Sequence, residues 1–357
     1  MKGLLLAGGH GTRLRPLTST GNKHMIPIAN EPMLFHGLRH LVDGGVSDVG
    51  IVLGPLHENI EETIGDGRAF GVRVHYIRQG EPKGLAHAVL CAREFLGDDP
   101  FVMYLGDNLL QEGTRSLIQR FQETGADAVV GATPVQDPSS YGVVELDGER
   151  IVSIAEKPRE PKSNLALIGI YVFGPAIHAV IKDLKPSGRG ELEITEAIWQ
   201  LHVHGGKVIV QRVRGWWKDT GRPEDLLEAN ERVLRGIPAE KFVMSGTVAK
   251  GAKVLGHVTL GEGSHISAGC TVEGPTIIGR HVRLEGGARI GPATAIGDDC
   301  LVRGATIRDS ILMASTIVEG PVEIERSIVG RFARLQAHEG HPVKLSAVLG
   351  DSSQLQF

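Results

Sequence analysis

The residues best able to do chemistry begin close to the amino terminus. The apolar segment Gly3–Ala7 runs straight into Gly8-Gly9-His10-Gly11-Thr12-Arg13-Leu14-Arg15-Pro16. Glycines placed directly after a buried strand let backbone N–H groups close on an anion. A tight turn alone would also explain them. Arg13 beside the turn and Lys23 beyond it favour the ligand, because two cations near one anion cradle suit a polyphosphate. The run is neither the dinucleotide fingerprint, which needs G-x-G-x-x-G opening a helix, nor a P-loop, which needs G-K-[ST]. Two acidic residues stand at comparable places further on. Asp107 follows the apolar run Phe101–Leu105, and Asp219 follows the apolar run Val208–Val213. Taken singly, an aspartate after a strand reads as a helix cap or turn former.

These residues need a scaffold, and the first 236 residues supply a consistent one. Short apolar runs at Gly3–Ala7, Val49–Leu53, Val72–Ile77, Phe101–Leu105, Ala128–Ala132, Leu167–Phe173 and Val208–Val213 predict buried strands. Helical patterns at Pro32–Leu41, Leu85–Leu96, Arg115–Glu123, Leu192–Val203 and Pro223–Leu234 alternate with them. Several strands are apolar on both faces, as parallel strands covered by helices on either side must be. The expectation is an α/β domain with a doubly wound, mostly parallel sheet, its ligands lying beyond the carboxyl ends of the strands.

Composition narrows the class. The chain has 357 residues, a formal net charge of −4 and 4% aromatics, without the basic footprint of a nucleic-acid binder. The longest apolar stretch, Leu165 to Ile181, is broken by Gly174-Pro175 and carries His178, so it reads as buried core and not as a membrane span. Gly3-Leu4-Leu5-Leu6-Ala7 is too short for a secretory h-region. Cys91, Cys270 and Cys300 are odd in number and far apart, which argues against a disulfide framework or a zinc site. A soluble protein of a reducing compartment, the cytoplasm, is expected.

After Gly236-Ile237-Pro238, read as a linker, the pattern changes. Val248, Val254, Leu260, Ile266, Val272, Ile278, Leu284, Ile290, Ile296 and Val302 follow one another at six-residue spacing. Four residues after each stands a mostly small side chain, Ala252, Val258, Ser264, Cys270 and so on to Thr306. This describes hexapeptide coils of a parallel β-helix, with the aliphatic stacked inside and the smaller residue at the corner. The phase then slips and is expected to resume at Ile311, Ile317, Val329 and Leu335, with Glu323 interrupting. A short solenoid must cap its ends or pair its faces, so a homo-oligomer assembled partly through the β-helix is expected.

The motifs along the first 235 residues occur in a telling order. Leu6-Ala7-Gly8-Gly9-x-Gly11-Thr12-Arg13-Leu14-x-Pro16, Lys23 and Pro27 come first. Gly84-Leu85-Ala86-His87-Ala88, Leu105-Gly106-Asp107-Asn108, Tyr141-Gly142-Val143-Val144 and Glu156-Lys157-Pro158 follow. Gly190-Glu191-Leu192-Glu193-Ile194-Thr195 and Trp217-Lys218-Asp219-Thr220-Gly221 complete the series. The sequence resembles the sugar-1-phosphate nucleotidylyltransferases, in particular the long glucose-1-phosphate thymidylyltransferases that carry a left-handed β-helix tail. That resemblance implies a catalytic domain over residues 1–238, a left-handed β-helix over 239–357, and a nucleoside triphosphate and a hexose 1-phosphate as substrates.

It also implies roles. Asp107 and Asp219 hold Mg²⁺. Gly8, Gly9, Gly11 and Thr12 cradle the triphosphate, Arg13 stabilises the departing pyrophosphate, and Lys23 also meets phosphates. Lys157 and Arg189 hold the sugar phosphate, while Glu156 and Gly142 read sugar hydroxyls and Glu191 assists. Glu191 is equally explained as a charge favoured at a helix amino terminus. Gln79 can both donate and accept, which matches the N3–H and O4 edge of thymine or uracil, and Gly84 presents backbone to the same ring. The segment Gly21-Asn22-Lys23-His24-Met25-Ile26 departs from the family's commoner Arg-Pro-Lys-Gln-Leu, and Arg222 stands where Thr is frequent. The expected activity is thymidylyl transfer from dTTP to glucose 1-phosphate. Use of UTP, acyl transfer in the β-helix, and a catalytically silent regulatory subunit are the alternatives. Acyl transfer commonly needs a histidine base, and the tail offers His257, His265, His281, His338 and His341. His257 and His281 lie on different faces by hexad counting, and no loop interrupts the ten hexads to hold a base.

Overall fold

The computed structural model describes residues 1–55, 57–338, 340 and 342–357, the side chain of residue 58 excepted, so His341 lies outside the described residues. The chain packs as two compact units, Met1–His10 with Leu34–Asp219, and Gly11–Met33 with Thr220–Phe357. Before the tail, the strands are β1 (Lys2–Ala7), β2 (Pro27–Ile28), β3 (Glu31–Pro32), β4 (Asp48–Leu53), β5 (Arg73–Arg78), β6 (Phe101–Leu105) and β7 (Asn108–Leu110). They continue with β8 (Ala128–Pro134), β9 (Gly142–Asp147), β10 (Arg150–Glu156), β11 (Leu165–Phe173), β12 (Val208–Arg212) and β13 (Trp217–Asp219). The helices are α1 (Met33–Asp43), α2 (Glu58–Ile64), α3 (Leu85–Cys91), α4 (Arg93–Leu96), α5 (Arg115–Thr124), α6 (Ala176–Asp183), α7 (Ile194–Val203) and α8 (Pro223–Gly236). Every strand and helix expected from the sequence is present, with Leu85–Leu96 divided at Ala92 into α3 and α4.

In the first unit one sheet runs in the order β10-β9-β11-β6-β1-β4-β5, with β8 beside β11 and β12 beside β8. The strands β6, β1, β4 and β5 are parallel, as are β8 and β12. The β11 strand is antiparallel to β6, β8 and β9, and β9 and β10 form an antiparallel hairpin, so the sheet is mixed. Its apolar runs are buried on both sides. Leu4 and Leu6 of β1 join a core with α3, α6 and α7. On the opposite face Gly37 of α1 lies against Leu5 and Tyr104, where a Cβ would stand 3.1 and 3.0 Å away. All nine residues of β11 are buried. No helix among the described residues is long and apolar enough to cross a membrane.

The second unit contains the tail as three stacked parallel sheets of seven, six and six strands, the arrangement of a β-helix. Successive coils pair Val254 with Val272, Leu260 with Ile278 and Ile266 with Leu284, residues 18 apart. The expected column is fully buried from Leu260 to Val302. Each such aliphatic contributes roughly 1.5–3 kcal/mol by leaving water. Small corner residues are buried too, and their hydroxyls are satisfied locally: Ser264 Oγ donates to Gly279 O (2.7 Å) and Thr276 Oγ1 to Glu273 O (2.6 Å). Beyond Val302 the coils shorten. Ile290 pairs with Ile307, 17 positions on, and Ile296 with Leu312 and Val302 with Val318, 16 on. Leu312 and Val318 therefore enter the column in place of Ile311 and Ile317, and Ile324 takes the place beside Glu323. Val329 and Leu335 stack as expected.

Packing and repeat pattern divide the chain differently. Residues 11–33 and α8 precede the change of pattern near residue 238, yet they pack with the β-helix. The short β2/β3 hairpin turns through Ala29, whose N–H donates to Asn230 Oδ1 (2.9 Å) on α8. Asn230 Nδ2 in turn donates to Ala293 O of the β-helix (3.2 Å), and Asn30 Nδ2 donates to Ile296 O (2.6 Å).

Candidate active site

Within the first unit, the acidic pair is built by two very short strands. The β6 strand ends at Leu105, the chain turns through Gly106-Asp107, and β7 resumes at Asn108. The β13 strand pairs antiparallel with β7, with Asp219 opposite Asn108 and Lys218 opposite Leu109. The two aspartates are thereby brought to one end of one ribbon, both half-buried. Asn108 is 3% exposed, and its orientation is determined by a donor-only neighbour: Trp217 Nε1 donates to Asn108 Oδ1 (2.7 Å). The amide nitrogen must then face the other way, and it donates to Asp107 Oδ1 (2.9 Å). Trp217 Nε1 also reaches Ile168 O (3.1 Å), in the stretch of β11 where the register shifts. Gly169 there has φ +73°, and a Cβ would lie 2.5 Å from Leu105, so only glycine serves at this point.

Beneath the turn, Tyr104 is fully buried and its hydroxyl donates to Asn108 O (3.0 Å). That single proton being used, His40 Nδ1 must donate to the Tyr104 oxygen (3.0 Å). Burial and the neighbouring His36 lower the His40 pKa to about 4, so the imidazole is neutral. Among the described residues no group of three or more His, Cys, Asp or Glu side chains is arranged to hold a metal ion. Two hard carboxylates match magnesium, which keeps waters and takes substrate phosphates as further ligands.

A second cluster forms where β1, β4 and β5 end. Gln79, just past β5, has its backbone N–H on Leu53 O (3.0 Å), and its side chain lies against Gly8. A Cβ on Gly8 would stand 2.8 Å from Gln79 Oε1. Gln79 Nε2 donates to Gly84 O (3.3 Å). Gly84 has φ +99° at the start of α3, and a Cβ there would be 2.4 Å from Leu192 O. Gly8, Gln79 and Gly84 thus share one small surface of neutral amides, with Gly9 exposed next to it.

The third cluster is charged. Glu156 ends β10 and Lys157 follows it with φ +43°, their side chains 3.7 Å apart. Thr195 Oγ1 donates to Glu156 Oε2 (3.2 Å), and a Cβ on Gly142 would be 3.3 Å from the same oxygen. Arg189 reaches Glu156 (3.4 Å), Glu191 (3.3 Å) and Glu193 (2.8 Å). Glu193 is the most buried of the three, and Ser187 Oγ also donates to it (2.7 Å). Burial raises the Glu156 pKa, with Glu193 adding to the rise and Lys157, Arg189 and Thr195 opposing it. Glu156, Lys157, Ser187, Arg189, Glu193 and Thr195 line one end of a cavity of about 1050 Å³ that extends between α6 and α7 to Gln200 and His204.

The remaining sequence candidates belong to the second unit. A Cβ on Gly11 would lie 2.9 Å from Lys23 Cβ, so the loop folds back and sets Lys23 beside Gly11-Thr12. Thr18 Oγ1 donates to Gly11 O (2.8 Å) and closes it. Arg13 rests on Gly221, two residues beyond Asp219, where a Cβ would meet its guanidinium at 2.9 Å.

His40, Tyr104, Asn108, Trp217, His87, Ser187, Glu193 and Thr195 were not assigned roles from the sequence. Asn108, Trp217, His87, Glu193 and Thr195 lie inside the motifs quoted above, and that proximity was the available signal. Nothing in the pattern around Tyr104 or His40 marks them.

The family model described as nucleotidyl transferase matches residues 2–236. A glucose-1-phosphate thymidylyltransferase of Streptomyces antibioticus is 42% identical over 359 residues, covering 100% of this chain and 99% of that protein. The low-salt glycan biosynthesis nucleotidyltransferase Agl11 of Haloferax volcanii is 42% identical over 360 residues, covering 100% of both. A crystal structure of a Bacillus anthracis chain assigned as a glucose-1-phosphate thymidylyltransferase, in complex with sucrose, superposes with TM-score 0.63 at 37% identity. It covers 67% of this chain and 96% of that one. A family model over residues 2–236 and relatives 42% identical over the whole chain have one consequence: the chain belongs to the nucleotidyl transferase family.

Proposed function

We propose that this protein transfers a thymidylyl group from dTTP to α-D-glucose 1-phosphate, giving dTDP-glucose and pyrophosphate for deoxysugar or polysaccharide synthesis. A phosphate oxygen of the sugar attacks the α-phosphorus in line, and pyrophosphate departs. Both reagents are anions, so the protein must neutralise and align them; it need not supply a covalent nucleophile. The observation that carries the reading is the β7–β13 register, which sets Asp219 opposite the residue after Asp107. Asp107 and Asp219 would hold Mg²⁺, which would supply Lewis-acid neutralisation of the phosphates. Asn108 keeps the Asp107 carboxylate turned for that task. Gly8, Gly9, Gly11 and Thr12 receive the triphosphate, with Arg13 and Lys23 as its cations. Gln79 and Gly84 read the base. Lys157 takes the sugar phosphate; Arg189 shares it and orders the acidic side chains around it. Glu156 and Gly142 hold sugar hydroxyls, with Glu191 alongside.

Residues 1–238 carry the chemistry in this reading and residues 239–357 form the β-helix. Exposed Val243, Met244, Val248 and Leu255 on the first coils support a homo-oligomer assembled partly there, which sedimentation tests. Free Cys91, Cys270 and Cys300 suit a cytoplasmic setting. The deciding experiment is pyrophosphate release from dTTP, UTP, GTP, CTP and ATP, each with several hexose 1-phosphates and Mg²⁺. The highest kcat/KM is expected for dTTP with glucose 1-phosphate. No release with any pair, or preference for a purine triphosphate, overturns the proposal.

A further inference from the structure

The Gln79 amide can stand in two orientations that exchange its oxygen and NH₂, and these read opposite hydrogen-bond patterns. Its nitrogen lies 3.3 Å from Gly84 O and 3.2 Å from His87 Nδ1. A carbonyl oxygen only accepts, so the Gly84 contact establishes which end is NH₂. His87 Nδ1 must then accept as well, which puts the ring proton on Nε2. Cys91 Sγ, a weak acceptor, lies 3.7 Å from that nitrogen. The Gln79 oxygen is left on the Gly8 side, where the chain leaves β1.

We propose that His87 is a specificity-determining residue: by accepting from Gln79 Nε2 it keeps the Gln79 oxygen toward the nucleobase and selects pyrimidines that carry N3–H. This rests on Gln79 as the base reader. Thymine and uracil present a donor at N3, and cytosine presents an acceptor. Opposite an amide oxygen, cytosine leaves two acceptors facing each other, and unpaired polar groups in a site are rejected far more strongly than a missing methyl. His87 acts through Gln79 and is a positioning residue. Burial, with Lys83 nearby, lowers its pKa, which keeps the ring in the accepting form. Gly84 O remains when His87 is replaced, so the loss of discrimination is partial.

The test uses the full-length protein and reads the ratio of kcat/KM for dTTP over dCTP, together with the ratio of their dissociation constants by calorimetry without sugar phosphate. His87→Leu should lower both ratios about tenfold, one hydrogen bond's worth. His87→Gln, which can offer an amide oxygen to Gln79, should restore them, and Gln79→Leu should bring them close to one. Ratios unchanged in His87→Leu but collapsed in Gln79→Leu overturn the role of His87 alone. Ratios unchanged in Gln79→Leu overturn the base-reading assignment beneath it. Equal losses in His87→Leu and His87→Gln assign the effect to packing and overturn the proposal.

Discussion

The α/β sheet and the β-helix solve the placing of side chains in opposite ways. In the sheet and the small ribbon beside it, the residues proposed to act stand where strands stop: Gly8 after β1, Gln79 after β5, Asp107 after β6, Glu156 at the end of β10 and Asp219 at the end of β13. The hydrogen-bonded ladder releases the backbone there, and the buried runs behind carry the stability. In the β-helix, coil after coil from Leu260 to Leu335 repeats the same buried position, and charges pair with the neighbouring coil, as Arg303 does with Glu285 (2.8 Å) and Glu319 (2.7 Å). On this reading function and stability are separable in the first region, while the repeated positions of the second serve stability. The segment Gly11–Met33 crosses that divide, because it carries candidate phosphate-binding residues and is fastened to the β-helix.

This contrast can be broken at several points. The largest effect is expected at the metal pair. Asp107→Asn or Asp219→Asn should cut turnover about 10³-fold, the range for losing one preorganised electrostatic contact to a transition state. The melting temperature should move by no more than about 2 °C. A large melting shift would show that stability and function are not separate even at strand ends. Next, Ile290→Ala in the solenoid column should cost about 2–5 kcal/mol in urea unfolding. A cost near zero would deny that column its role. Smaller is Asn230→Ala, which leaves Ala29 N–H and Ala293 O unpaired and should cost about 1–3 kcal/mol. It should also raise KM for dTTP several-fold while leaving KM for the sugar phosphate little changed, and an unaltered dTTP KM would return the loop to the sheet's side of the comparison.

The smallest effect concerns pH. Burial raises the Glu156 pKa, so on acidification this side chain takes up its proton before an ordinary glutamate does. Its ability to accept from sugar hydroxyls is lost as pH falls, and KM for glucose 1-phosphate should rise more steeply in the wild type than in Glu156→Gln. Stability runs the other way. The protonated form is favoured in the fold, so the contribution of Glu156 is full below its unfolded pKa and declines as pH rises through the folded one. Parallel profiles for the two proteins would remove Glu156 from the sugar-reading role.

Much of the scaffold was legible because burial leaves a periodic trace. The strands were found from apolar runs, and the first ten coils from a strict interval of six. Strand direction leaves no such trace: β11 is as apolar as a parallel strand but runs against its neighbours. The β7 and β13 strands have three residues each, too few to show a period, so the ribbon joining the two aspartates was invisible although its motifs were not. The bond from Asn108 to Asp107 depends on an amide orientation that only the neighbouring indole determines. Arg189 lies closest to Glu193, four residues along the same loop before α7, and is also within reach of the expected Glu191. The loop's bond to the solenoid, from Asn30 to Ile296 O, joins residues 266 positions apart, a relation no local pattern contains.

The shortened coils after Val302 have a wider meaning for this kind of tail. Between Val302, Ile307 and Leu312 the buried steps fall to five residues, yet each aliphatic still lands on the one below it. The missing residues come out of corners, where the chain is turning and no side chain belongs to the column. A deletion inside a strand would instead swing every later side chain by one place and turn the interior outward. Length differences among such tails should therefore gather at the bends, and an alignment that holds rigidly to sixes will lose the column at the first trimmed corner.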